Sequence, residues 1–147
     1  MNGVQIKNII LISLSAAGSF ISERLGGADR LLLALVMFMA VDYITGFAVA
    51  FIFHKSQKTK SGGASSLVGF KGIIKKICML LMVALAHELD YIMGTEYTRV
   101  LAILFFIGNE GLSILENMGL MGVPYPEFMH KALEAMKDKG NDGEKNE

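Results

Sequence analysis

The sequence predicts an all-α integral membrane protein with three to four hydrophobic helices and a short C-terminal amphipathic helix. Three observations lead there. Hydrophobic residues make up 52% of the chain, mean hydropathy is +0.46, and the apolar residues fall in long runs parted by short charged segments instead of alternating along amphipathic faces. The formal net charge is zero, but the charges are separated along the chain: lysines gather in one central segment, and most acids lie in hydrophobic runs or in the tail. A balanced charge removes the electrostatic footprint of a nucleic-acid binder. Cys78 is the only cysteine, so an intrachain disulfide and a zinc-type cysteine set are both excluded.

The hydrophobic stretches run approximately Ile9–Ile21, Leu31–Phe53, Ile77–Met93 and Val100–Asn117. A perpendicular crossing needs about 20 helical residues. The second stretch meets this, whereas the third and fourth run slightly short and need snorkelling flanks, a thinner bilayer or packing in an assembly. The first follows Lys7 and Asn8 and is broken by Ser13, Ser15, Gly18 and Ser19. It reads as a short span or tilted interfacial helix, with a signal peptide cleaved near Ala17 or a soluble helix as alternatives.

Between the second and third stretches, His54 to Lys76 carries Lys55, Lys58, Lys60, Lys71, Lys75 and Lys76 and no acid. The positive-inside rule assigns this loop to the cytoplasm; attraction to anionic headgroups accounts for the same lysines. The fourth stretch then returns the chain to the cytoplasm, and only the side of the N-terminus depends on whether three or four stretches cross. Residues 1–122 are thus expected to form a membrane domain. Residues 123–147 leave it at Pro124 and Pro126, and Phe128, Met129, Ala132, Leu133 and Met136 recur at helical spacing for an amphipathic helix against the membrane surface or a partner helix. From Gly140 onward the charged tail is expected to be disordered.

Polar groups inside the apolar runs are the candidate functional residues. An ionised Asp42 at mid-bilayer costs about 2.5–3.5 kcal/mol on insertion scales, with no Lys or Arg in its own stretch, so it is protonated or meets a partner helix or water. Thr45, Gly46 and Val49 share its side, and Gly46 with Ala50 permits close helix approach. In the fourth stretch Asn109, Glu110, Ser113, Glu116 and Asn117 form a stripe within about a third of the helix circumference. His87, Asp90 and Tyr91 share a face near the outer end of the third stretch, with Glu88 pointing aside. Two readings stay open: the polar residues join helices within one protomer, each bond worth about 0.6–2 kcal/mol, or they form a face that meets other subunits or lines water. Catalysis finds no support. His87, Asp90 and Ser113 lack a nucleophile-elbow pattern, and there is no His-Glu-x-x-His or phosphate-loop spacing.

Four ordered elements then bring in a resemblance: Asp42-Tyr43-Ile44-Thr45-Gly46; Gly69-Phe70-Lys71-Gly72 with Lys75-Lys76; Asn109-Glu110-Gly111-Leu112-Ser113-Ile114-Leu115-Glu116-Asn117; and Gly122-Val123-Pro124-Tyr125-Pro126. Over residues 40–130 the chain resembles the phage holins that include the toxin-secretion holins of Gram-positive bacteria. The resemblance implies a non-enzymatic, cofactor-free protein of the bacterial cytoplasmic membrane. Such a protein forms homo-oligomers and, at a set time, opens lesions through which an endolysin or a large toxin passes. Some relatives are made in longer and shorter forms, but Met1 is the only methionine before Met37. Two other functions fit the residues: an ion or proton channel or transporter subunit using Asp42, His87 and Glu110 as a relay, and an antiholin that limits assembly.

Overall fold

In a computed structural model, which describes residues 2–142, the described residues build five helices: α1 (Gly3–Arg24), α2 (Arg30–Phe51), α3 (Ser66–Met93), α4 (Thr98–Met121) and α5 (Glu127–Asp142). No strand occurs among the described residues. The expected all-helical fold is therefore the observed one. Three helices, α1, α2 and α4, are long and apolar enough to cross a membrane. The first stretch, interrupted as it is by serines, builds an unbroken helix of 22 residues that passes Ala17 and ends at Arg24. It buries none of its residues inside the protomer, so its apolar side chains face whatever surrounds the chain.

Helix ends follow local chemistry. Asn2 and Gln5 form a capping box at the start of α1, and the Asp29 side chain accepts the Leu32 N–H at 2.8 Å to cap α2. α3 and α4 stop at Gly94 and Gly122, whose φ values of 68° and 82° are left-handed and suited to glycine. Pro124 and Pro126 follow and keep α4 from continuing.

The core lies where α2 and α3 meet α4. Leu32, Leu35 and Met39 from α2, Met79 and Val83 from α3, and Ile103 and Ile107 from α4 form one buried cluster with Leu25. These positions recur at three- and four-residue intervals, so each helix contributes one stripe and leaves its other faces largely apolar and exposed.

Two boundaries differ from the sequence reading. α3 begins at Ser66, not Ile77, so Lys71, Lys75 and Lys76 are helical and only Lys55, Lys58 and Lys60 remain in the loop. The lysines interrupt the hydropathy of this region but not its helical periodicity. α5 runs through Gly140 to Asp142, where the composition predicts disorder. Gly140 is held there because it sits directly on α4: a Cβ on it would collide with Phe105 Cβ and lie 2.7 Å from the Leu101 carbonyl oxygen. The remainder of the expected disordered tail, residues 143–147, lies outside the described residues.

The turn from α1 to α2 uses Gly26 and Gly27, both left-handed at φ 81° and 93°. A Cβ at Gly26 would fall 2.6 Å from Arg99 Nε and 2.9 Å from His87 Nδ1, whereas one at Gly27 meets nothing within 4 Å. Both alanine substitutions carry the left-handed penalty of about 1–2 kcal/mol, and only Gly26→Ala also displaces Arg99. Unfolding in detergent micelles should therefore show a clearly larger loss of stability for Gly26→Ala than for Gly27→Ala; equal losses would contradict this packing.

Candidate functional site

The candidate residues divide into two clusters at different levels of the bundle. The first sits midway along α2 and α4. Lys76, carried by α3, donates from Nζ to Asp42 Oδ2 at 2.8 Å and to Glu110 Oε2. Asn117 Nδ2 donates to Thr45 Oγ1 at 3.0 Å and, more weakly at 3.4 Å, to Asp42 Oδ1. Thr45 in turn donates to the Asp42 carbonyl at 3.1 Å. Asp42, Thr45, Glu110 and Asn117 are all buried, Glu110 to 1% exposure. Three helices thus converge on one ammonium group flanked by two carboxylates.

Glycines lie at the helix contacts of this region. Gly46 of α2 faces Asn117, whose Nδ2 would lie 3.7 Å from a Cβ there. On α3, Gly69 leaves room for the Tyr43 hydroxyl, 3.4 Å from a Cβ built at that position, and Gly72 leaves room for the Tyr43 ring, at 3.7 Å. Three of the four quoted sequence elements, around Asp42, Gly69 and Asn109–Asn117, therefore meet at this cluster. The fourth lies beside it: Tyr125 packs on Gly119, 3.9 Å from a Cβ built there.

This arrangement supplies the cation that Asp42 lacks in its own helix. It also changes the reading of the α4 stripe. Glu110 and Asn117 turn into the protomer, Asn109 and Ser113 are half-buried, and Glu116 is exposed, so the five residues do not present one common surface. The reading in which polar groups join helices within one protomer describes Asp42, Thr45, Glu110 and Asn117. Lys76 and the loop lysines likewise part company: Lys76 is an interior ion-pair partner, while Lys55, Lys58 and Lys60 are exposed.

The second cluster lies at the Gly94 end of α3. Asp90 accepts from the Thr98 and Arg99 backbone N–H groups, each at 2.9 Å, and from Thr95 Oγ1 at 2.6 Å. It thereby caps the start of α4, whose first N–H groups have no helical partner of their own. Arg99, buried to 8% exposure, reaches back to the Leu25 and Gly27 carbonyls and to Asp29 Oδ2, the last at 2.7 Å. The guanidinium holds the Asp29 carboxyl below its ordinary value. His87 approaches the Gly26 turn from α3. These groups tie the α1–α2 turn to α3 and α4 at a level of the bundle away from Asp42 and Glu110, so a continuous relay through Asp42, His87 and Glu110 is not assembled. Among the described residues, no three His, Cys, Asp or Glu side chains converge as metal ligands would.

Sequence reasoning missed Arg99 and Asp29 and misplaced Lys76. The signal for Lys76 was present: a lysine four residues after Gly72, on a segment whose Leu67, Val68, Phe70, Ile73 and Ile74 continue the helix.

The energetics give a sharp consequence. Removing one partner from a buried ion pair typically costs about 3–5 kcal/mol, whereas replacing all partners by well-fitting uncharged groups is near neutral. Lys76→Met should lose stability of that order in detergent unfolding, and combining it with Asp42→Asn and Glu110→Gln should recover most of the loss. A single Lys76→Met variant as stable as the parent would remove the cluster from the account.

Residues 19–138 match the family model described as the bacteriophage holin family. An uncharacterized protein of Listeria innocua is 37% identical over 137 residues, covering 92% of each chain. An uncharacterized 14.9 kDa protein of Clostridium perfringens, from the nagH 3′ region, is 35% identical over 136 residues, covering 91% of this chain and 97% of its own. An uncharacterized protein of Bacillus subtilis is 30% identical over 135 residues, covering 91% and 92%. No solved structure matches the chain at a significant level. The matched segment contains both polar clusters and all four of the sequence elements around them, and the chain belongs to the bacteriophage holin family.

Proposed function

We propose that this protein is a holin: it accumulates in the bacterial cytoplasmic membrane, assembles with copies of itself, and opens lesions that release an endolysin for host lysis or export a large toxin. Membership of the family over residues 19–138 carries this reading. Three helices long and apolar enough to cross a bilayer agree with it. So does the exposed surface of the protomer: α1 buries nothing within the chain, and Leu33, Met37, Ile44 and Phe47 along α2 are all more than half exposed. Such surface demands lipid or another subunit.

The internal ionic cluster belongs to this reading as an arrangement contained within one protomer. Two carboxylates share one ammonium inside the protomer, which satisfies them without water or neighbours. The contacts that build an assembly are therefore sought on the outer faces of α1 and α2. In this topology the basic loop with Lys55, Lys58 and Lys60 stays cytoplasmic, and α4 ends on the same side at Gly122. α3 accompanies α2 and α4, with Lys76 and Asp90 turned inward to make that possible.

Expression in a bacterium together with a cytoplasmic endolysin tests the proposal. Growth should stop abruptly after a delay, followed by wall degradation that depends on the endolysin. Continued growth would support an antiholin instead. Loss of membrane potential with the endolysin retained inside would support an ion channel, and either outcome would overturn the holin reading.

A further inference from the structure

The C-terminal helix lies in an unexpected place for so polar a segment. α5 runs antiparallel along α4, and the two backbones meet closely: a Cβ on Gly108 would lie 2.6 Å from the Leu133 carbonyl oxygen, and one on Gly111 would lie 2.5 Å from Leu133 Cδ2. Leu133, Lys137 and Gly140 make this seam and lie within about 60° of one another at 100° per residue. Sixteen residues extend about 24 Å, and the seam follows the first half of α4, from Gly111 back to Leu101, at the depth where α4 would be crossing hydrocarbon.

The two flanks of docked α5 differ in character. On one side of the seam Phe128, Ala132 and Met136 are exposed, with Lys139 among them in the last turn of α5, level with the second turn of α4, where a lysine stem can carry its ammonium out to the end of the crossing. On the other side His130, Lys131, Glu134 and Asp138 follow within about 100°, and His130–Glu134 and Lys131–Glu127 pair along the helix at 3.3 and 3.0 Å while remaining in contact with solvent. Each charge exposed to lipid at helix centre costs about 2.5–3.5 kcal/mol, and surface pairing of this kind returns well under that. A docked α5 therefore cannot have lipid on its charged flank.

From this seam and these flanks we propose that α5, lying along α4, forms the wetted wall of the opened assembly, with His130, Glu134 and Asp138 toward the water and Phe128 and Met136 toward lipid or a neighbouring subunit. The inference rests on the membrane-opening reading above and adds its geometry. While the membrane is sealed, α5 lies on the cytoplasmic surface with its charges in water. Docking along α4 and the presence of a water-filled path are then one event.

The test uses the full chain with Cys78→Ser, Gly111→Cys and Leu133→Cys, reconstituted in phosphatidylethanolamine and phosphatidylglycerol vesicles that hold a small dye and a separately labelled protein of endolysin size. Shortening Leu133 makes room for the new side chain at position 111. The expected result is a disulfide between positions 111 and 133 within one chain, with dye release from vesicles that contain the crosslinked protein and retention where the disulfide does not form. A second chain carrying only Cys78→Ser and Asp138→Cys tests the wall without touching the seam: its single thiol should react with a water-soluble maleimide at its full rate in leaking vesicles. Absence of the disulfide from leaking vesicles would overturn the proposal, as would crosslinked protein in vesicles that keep their dye, or an unreactive thiol at position 138 in vesicles that leak. Release of dye with the protein cargo retained would instead reject the holin reading and leave the wetted α5 wall standing.

Discussion

The packing of α3 against α2 and α4 depends on one ammonium group shared by two carboxylates. Asp42 and Glu110 cannot stay ionised in lipid by themselves, and neither the apolar part of α2 nor that of α4 offers a cation to them. Lys76 resolves the problem from α3. Its charge is equally costly in isolation, so α3 is bound to α2 and α4 by mutual need as well as by the Leu35, Val83 and Ile103 core. Asn117 donates to Asp42 Oδ1 and to the Thr45 hydroxyl, and Thr45 donates to the Asp42 backbone carbonyl, so these uncharged polar side chains are buried beside the cluster with their hydrogen bonds made.

Glycine and arginine do the corresponding work elsewhere. Gly108, Gly111 and Gly140 let α4 and α5 meet where any Cβ would collide. At the opposite level Arg99 gathers the carbonyls of the α1–α2 turn, and Asp90 caps the start of α4. The bundle is thus fastened at two heights while most outward faces remain apolar. That division suits a protomer that keeps its own shape yet meets lipid or further copies over a large surface.

Much of the fold was legible from the sequence, because long apolar runs leave few options for a chain in lipid. The second and fourth helices, the break at Pro124 and the amphipathic periodicity after it all follow from composition and spacing. The lysines were harder to read. Lys71, Lys75 and Lys76 look like a loop by charge, but helix geometry turns Lys76 inward and leaves Lys71 and Lys75 exposed. A hydropathy window cannot see that distinction. Likewise the stripe from Asn109 to Asn117 is real on a helical projection, while which part of it faces an in-chain partner depends on where α2 and α3 lie. Arg99 and Asp29 stand 70 positions apart, beyond the reach of any local pattern.

The placement of the polar cluster inside one chain is the claim from which the rest follows, and the Gly46–Asn117 contact probes it directly. In membranes containing the chain with Cys78→Ser, Gly46→Cys and Asn117→Cys, oxidation should give a disulfide that migrates as a monomer on a denaturing gel. A ladder of covalent dimers in place of that band would mean that these side chains pair between copies, and the self-contained protomer described above would be wrong.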